Sequence, residues 1–272
     1  MTVAIEPVVK SVDLSTGVRL PYVEQGDPTG VPVLLLHGVT DSWYSFEPVL
    51  PHLPDSLHAF ALTQRGHGDA DRPDTGYRSQ VFAADVAAFM DALGIESAIV
   101  AGTSMGATVA QRFALDYPER VRGLMLMATF FSYRANPVVV EFAEAVTTLT
   151  DPIDPGFVRE FQESTLARPV PPAFLETVVR ESLKMPARIW REAFAGFLDD
   201  DFPAEVGGIT APTLIAWGDQ DAFCPRGDQD SLLAEIAGSR LVVYAGAGHA
   251  LHWEEPERMA ADLTAFAAGV AG

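Results

Sequence analysis

The stretch IVAGTSMGATVA, residues 99–110, holds the pentapeptide Gly102-Thr103-Ser104-Met105-Gly106. A G-x-S-x-G sequence carries a nucleophilic serine where a strand runs into it and a helix leaves it. Both flanks read that way. Residues 98–101 form a short continuous apolar run, as expected of a strand covered on both faces. Val109, Phe113 and Tyr117 then recur on one face of a helix over residues 104–117, which Pro118 ends. The two glycines let backbone approach backbone in a tight strand–turn–helix. Ser104 would project from the C-terminal edge of a parallel sheet, where ligands bind in open α/β folds, and a helix N-terminus would point at the reacting atom.

The same alternation extends outward in both directions. Residues 8–14 and 18–23 read as a hairpin around Ser15-Thr16-Gly17, and residues 33–36, 57–62, 121–127, 213–217 and 241–244 as further strands. Phe82, Val86, Phe89, Met90 and Leu93 mark a helix stopped by Gly94. Leu232, Leu233 and Ile236 mark another, and Met259, Leu263 and Phe266 line a last one opened by Pro256. About eight strands alternating with helices imply an α/β fold built on a mostly parallel, doubly wound sheet. After Thr129 the alternation breaks. Residues 136–149, 154–168, 172–184 and 186–198 read as four helices with no strand between them. Asn136-Pro137 and Asp154-Pro155 each set a capping side chain before a first-turn proline, and Pro172 and Pro186 suit a first turn as well. This block, residues 130–207, reads as a helical cap inserted after the sixth strand, with residues 1–129 and 208–272 forming the core.

The chain has 272 residues, 48% hydrophobic and 20% charged, ample for one sizeable core. A formal net charge of −19 argues against nucleic acid or an anionic membrane surface as partner. The densest acidic run, Asp199-Asp200-Asp201, reads as a solvated loop. No apolar run is long enough for a membrane span. The opening MTVAIEPVVKSVDL lacks the apolar core of a signal peptide. Cys224 is the only cysteine, so no internal disulfide forms. It reads as a small buried hydrophobe and fits a reducing cytoplasm. The expectation is a cytoplasmic protein with a small-molecule substrate. Its oligomeric state is not legible at this level.

A serine hydroxyl is a weak nucleophile that needs a base, and the base needs an orienting acid. Of the six histidines, His249 in YAGAGHALHWEEP follows the last strand and can return an imidazole to Ser104. His252 is its local rival, three residues deeper, and suits a structural role. The segment TLIAWGDQDAFCP ends a strand at Trp217-Gly218 and offers Asp219 and Asp221. Asp221 is preferred as the acid and Asp219 as a turn residue. The order Ser104, Asp221, His249 is one of the chain orders known for this triad. Developing negative charge on the substrate oxygen needs donors. Met105 supplies one backbone N–H. Val39 supplies a second from VLLLHGVTDSW, where Gly38 permits the sharp turn and His37 reads as a brace for the loop. Phe130, Tyr133, Trp190 and Phe194 are expected to line an apolar pocket, and most other cap aromatics to pack the cap helices. No metal cluster or phosphate loop is read, so neither metal nor cofactor is implied.

His37-Gly38, QRGHGDADRP at residues 64–73, the serine pentapeptide, Gly218-Asp219-Gln220-Asp221 and Gly248-His249 together resemble the α/β-hydrolase superfamily over nearly the whole chain. The resemblance implies that Ser104 is the nucleophile, His249 the base and then the acid, and Asp221 the orienting carboxylate. It also implies that the cap sets the substrate and that Arg65 and His67 belong to a structural loop. The implied reaction is acyl transfer to water, most simply hydrolysis of a hydrophobic ester or lactone. Haloalkane dehalogenases and epoxide hydrolases use an aspartate where this chain has Ser104. Dehalogenases usually follow it with tryptophan rather than Met105, and epoxide hydrolases need cap tyrosines, of which Tyr133 is the only one. The hydrolases of vinylogous diketones, which cleave carbon–carbon bonds, share Ser-Met-Gly but commonly place tryptophan where this chain has Ala250. They stand as one alternative. Cofactor-free haloperoxidase or perhydrolase-type esterases are a second, and a small-molecule sensor with an intact triad is a third.

Overall fold

The computed structural model describes residues 7–270; the first six residues of the segment read for a signal peptide lie outside it. Eight strands form one sheet. They are β1 (Val9–Asp13), β2 (Arg19–Gln25), β3 (Val31–Leu36), β4 (Leu57–Leu62), β5 (Ala98–Thr103), β6 (Val121–Met127), β7 (Thr213–Gly218) and β8 (Arg240–Tyr244). Their order is β1-β2-β4-β3-β5-β6-β7-β8. The β1–β2 and β2–β4 pairs are antiparallel, and every pair from β4 onward is parallel.

The central strands are apolar without interruption because both faces are covered. In β3, Leu34 and Leu36 face one core together with Val100 of β5 and Leu124 and Leu126 of β6. That core includes Phe82, Val86 and Phe89 of helix α1 (Ser79–Leu93) and Val109 and Phe113 of helix α2 (Met105–Asp116). The alternate residues Val33, Leu35, Ile99, Ala101, Met125 and Met127 face the opposite core. The period-2 projection of side chains from a strand makes this division.

Between β6 and β7 lie four helices: α3 (Pro137–Val146), α4 (Pro155–Ser164), α5 (Pro172–Leu183) and α6 (Ala187–Asp199). The side chain of Asn136 accepts from the N–H groups of Val138 and Val139, and that of Asp154 from Gly156. Pro172 takes the first turn of α5, whereas Pro186 sits one residue before α6. Helices α3 and α6 pack together, as do α4 and α5.

In the acidic run Asp199 is exposed, but Asp200 and Asp201 form a clasp and not a solvated loop. Asp200 accepts from Ser79 and Gln80 of α1. Asp201 accepts from the Ser132 hydroxyl at 2.5 Å and from the backbone N–H groups of Tyr133 and Arg134 at 3.0 and 3.2 Å. Where the chain leaves β6 for the helical block it turns without a ladder partner, and these carboxylates satisfy donors that would otherwise be stranded.

The chain closes with α7 (Arg226–Glu235), the four-residue helix α8 (Leu251–Glu254), which the sequence pattern does not announce, and α9 (Pro256–Val270). Met259, Leu263 and Phe266 of α9 cover the second face of the sheet. Among the described residues no helix is long and apolar enough to cross a membrane.

Candidate active site

Strand β5 hands the chain to α2 through Ser104, whose φ is +53° and ψ −120°. A residue with a Cβ is strained there. The conformation is held by the Ser104 N–H, which donates to the Met127 carbonyl at 3.0 Å, and by the Ser104 carbonyl, which accepts from Ala107 at 2.9 Å. The flanking glycines are required by space. A Cβ on Gly102 would lie 2.2 Å from the Gly106 carbonyl oxygen, and one on Gly106 would lie 2.1 Å from that of Leu36. Both obstacles are backbone and cannot swing away. Gly106→Ala is therefore expected to cost ~3 kcal/mol or more of stability. Denaturant unfolding measures it, and an unchanged midpoint would mean that the turn is looser than described.

The candidate acid and base lie after the last two strands, β7 and β8. Asp221 follows β7, with a side chain 0% exposed. Its Oδ1 accepts from the backbone N–H groups of Phe223 and Cys224 at 2.8 and 2.9 Å, which locks the carboxylate. Its Oδ2 lies 2.9 Å from Nδ1 of His249, in the loop after β8. With Nδ1 donating to Asp221, Nε2 is the unprotonated nitrogen, the state a general base needs. Ser104 and His249 line the same cavity. The rings of Phe223 and Phe130 stand 5.0 and 5.9 Å from the imidazole and shield it. Asp219 does different work. It is exposed, and it accepts from the Gly246 N–H at 2.6 Å, a bond that holds its carboxyl below the usual range.

Asp221, Cys224 and His249 place a carboxylate, a thiol and a ring nitrogen within 4.8 Å of one another. Such a trio can be a metal site, but hydrogen bonds already occupy it. Burial pushes the Cys224 thiol well up, so it stays protonated and donates to the Ala128 carbonyl at 3.2 Å.

Val39 and Met105 both line the cavity beside Ser104. Neither backbone N–H has a protein acceptor among the described residues. Met105 opens α2, where N–H groups lack intrahelical partners and the helix dipole favours negative charge.

Three other histidines are buried and neutral. Nδ1 of His37 lies 2.7 Å from the Gly38 carbonyl as donor, and Nε2 accepts from the Gln64 N–H at 3.0 Å, so the ring braces the loop after β3. Burial pushes His67 down to about 4 and His252 down to about 3. Nε2 of His252 pairs with the Ser45 hydroxyl at 3.0 Å. Arg65 forks onto Asp85 of α1 in a buried ion pair.

Asp41 is a buried carboxyl that sequence reading overlooks. Burial raises it from 3.8 to about 7. An unfolded chain ionises this group near pH 4, whereas the folded protein holds the proton to about pH 7, so Asp41 costs stability as pH rises through that window. Asp41→Asn is expected to gain stability over wild type as pH rises from 5 to 8, by a few kcal/mol at most. Paired unfolding curves at those two pH values test it, and a gap that is flat or shrinks with pH would contradict the assignment.

The cavity, part of it open to solvent, spans about 510 Å³. Phe130, Tyr133 and Phe194 line it, joined by Val139, Phe142, Phe161, Thr165, Ala193, Phe197 and Phe223. Trp190 does not. It is 0% exposed and packs behind the wall against Phe157 and Phe161. Phe223 was missed because it belongs to the acid loop and not to the helical block.

The alpha/beta hydrolase fold family model matches residues 31–256, and the chain belongs to that family. It is 29% identical to a non-heme chloroperoxidase of Streptomyces lividans, over 94% of this chain and 98% of that protein. It is 30% identical to the 2-hydroxy-6-oxononadienedioate/2-hydroxy-6-oxononatrienedioate hydrolase of Klebsiella pneumoniae subsp. pneumoniae, over 83% of each. Among solved structures, a thermophilic esterase from Thermogutta terrifontis is similar with a TM-score of 0.82 and 25% identity, covering 97% of this chain and 99% of that one. Fold, family and relatives make the chain a hydrolase-type enzyme.

Proposed function

We propose that the chain is a serine hydrolase of uncharged, largely apolar carboxylic esters or lactones, acting through an acyl-enzyme on Ser104. The observation that carries this reading is the cavity itself: Ser104 and His249 open into a mostly apolar wall, six of whose residues are phenylalanines. In the first step Ser104 Oγ attacks the carbonyl carbon while His249 Nε2 takes its proton. Asp221 stabilises the resulting imidazolium. The oxyanion is met by the N–H groups of Val39 and Met105. Collapse expels the alcohol, which receives the proton from His249, and a water molecule activated by the same imidazole then releases the acid.

Charge separates this reading from carbon–carbon cleavage of a dicarboxylate, the kind of substrate the Klebsiella relative's name describes. No lysine or arginine lines the cavity, and a buried Asp41 lies next to it. A second carboxylate on the substrate would have no cation to meet. A panel of aryl and alkyl esters, lactones and vinylogous diketones tests this, with Ser104→Ala as control. Uncharged apolar esters or lactones are expected to lead, with acyl groups ending in a carboxylate slower by about 100-fold. Turnover confined to vinylogous diketones or charged acyl groups would overturn the reading.

A further inference from the structure

A second hollow also borders Ser104. It shares Val39, Ser104, Phe161, Thr165 and His249 with the aromatic cavity, so the two adjoin at the nucleophile. Its own wall adds the polar side chains of Asp41, Gln162 and His252, beside Trp253. Oδ1 of Asp41 accepts from Gln162 Nε2 at 3.1 Å, which ties the hollow to helix α4. Oδ2 accepts from the Ser45 hydroxyl at 3.2 Å. Ser45 Oγ in turn lies 3.0 Å from His252 Nε2 and accepts from Trp253 Nε1 at 3.0 Å. The chain of polar groups ends at His252 Nδ1, which is buried and has no partner.

Asp41 is met by Gln162 and Ser45, but a buried ring nitrogen with no partner is costly unless something polar meets it. The hydroxyl of Ser45 has one proton to give. With Asp41 ionised, Ser45 donates to Asp41, His252 donates from Nε2 to Ser45, and Nδ1 is left as an acceptor. With Asp41 neutral, its proton goes to Ser45, Ser45 donates to His252 Nε2, and Nδ1 carries the hydrogen. A hydroxyl group both donates and accepts, so it satisfies either arrangement. A carboxylate meets Nδ1 only where that nitrogen carries the hydrogen, and it brings a second acidic group beside Asp41; an alkyl group leaves Nδ1 unmet. Asp41 also has the carboxylate of Glu181 nearby and the imidazole of His249 across the hollow.

We propose that this hollow is a subsite for an uncharged, hydroxyl-bearing end of the substrate, selected by Asp41 and His252. The inference rests on the ester-hydrolase reading and adds the polar half of the substrate to its apolar half.

The test compares ester pairs of equal size. On the alcohol side, the 2-hydroxyethyl and propyl esters of phenylacetic acid are compared, and on the acyl side, the benzyl esters of 2-hydroxybutanoic and 2-methylbutanoic acid. The wild-type kcat/KM is expected to favour the hydroxyl member of one pair by about tenfold or more. The pair that responds shows which side of the ester enters the hollow. Asp41→Leu is expected to bring that ratio close to one, and Asp41→Asn, which keeps a hydrogen-bonding group in place, to retain part of it. The wild-type ratio needs no variant and decides even where Asp41→Leu fails to fold. Three results would overturn the proposal. One is ester turnover with no hydroxyl preference in either pair, as in a hollow that only stations water. Another is a preference that survives Asp41→Leu. The third is a 2-ammonioethyl ester that outruns the 2-hydroxyethyl one. Failure to hydrolyse any ester would instead overturn the ester-hydrolase reading beneath it.

Discussion

Ser104→Ala is expected to lower kcat for any ester substrate by about 10⁶-fold while leaving the fold intact, the scale seen when one member of a catalytic triad acting as a unit is removed. The change deletes only Oγ. Alanine keeps the Cβ that the turn already tolerates at a φ of +53°, so unfolding midpoints are expected to agree closely with wild type. Loss of activity with retained stability and retained substrate binding would assign the effect to chemistry. A loss smaller than about tenfold would place the nucleophile elsewhere.

The second large effect is expected at the acid. Asp221→Asn is expected to reduce kcat by about 10⁴-fold, because an amide presents the wrong hydrogen-bonding pattern to His249 Nδ1 and disfavours the tautomer with a free Nε2. Asp219→Asn, two residues away, is expected to stay within about threefold of wild type, since an exposed turn residue loses little. The contrast is sharp because both residues sit on one loop, and only Asp221 reaches the imidazole, at 2.9 Å. Equal losses would show that the loop's shape, and not the carboxylate, is what matters.

The core was largely legible in the sequence because its determinants are local. Continuous apolar runs such as residues 33–36 and 98–101 announce strands buried on two faces. Gly102 and Gly106 announce a turn too tight for a Cβ, and Asn136 and Asp154 announce helix starts, where their side chains do cap. The pairing of Asp221 with His249 was readable from their place after the last two strands.

What escaped depends on distant partners. In α6, residues 190, 193, 194 and 197 share one face by spacing, yet Trp190 turns into the packing against Phe157 and Phe161 while Ala193, Phe194 and Phe197 line the cavity. A single apolar stripe serves both packing within the helical block and the cavity wall, and periodicity does not divide it. The acidic run at residues 199–201 looked solvated because its partners, Ser79, Gln80, Ser132 and Tyr133, lie far away in the chain. Asp41 passed unnoticed for the same reason. Its burial depends on Gln162, 121 residues later.

Covalent trapping tests the role of Ser104 most directly. The protein is treated with a fluorophosphonate, or quenched during turnover of a slow ester, and the intact mass and peptide map are recorded. One adduct per chain is expected, on Ser104, absent from Ser104→Ala and formed far more slowly in His249→Ala. Ester turnover accompanied by an adduct on another residue, or full activity in a protein that never takes up the label, would contradict an acyl-enzyme on Ser104.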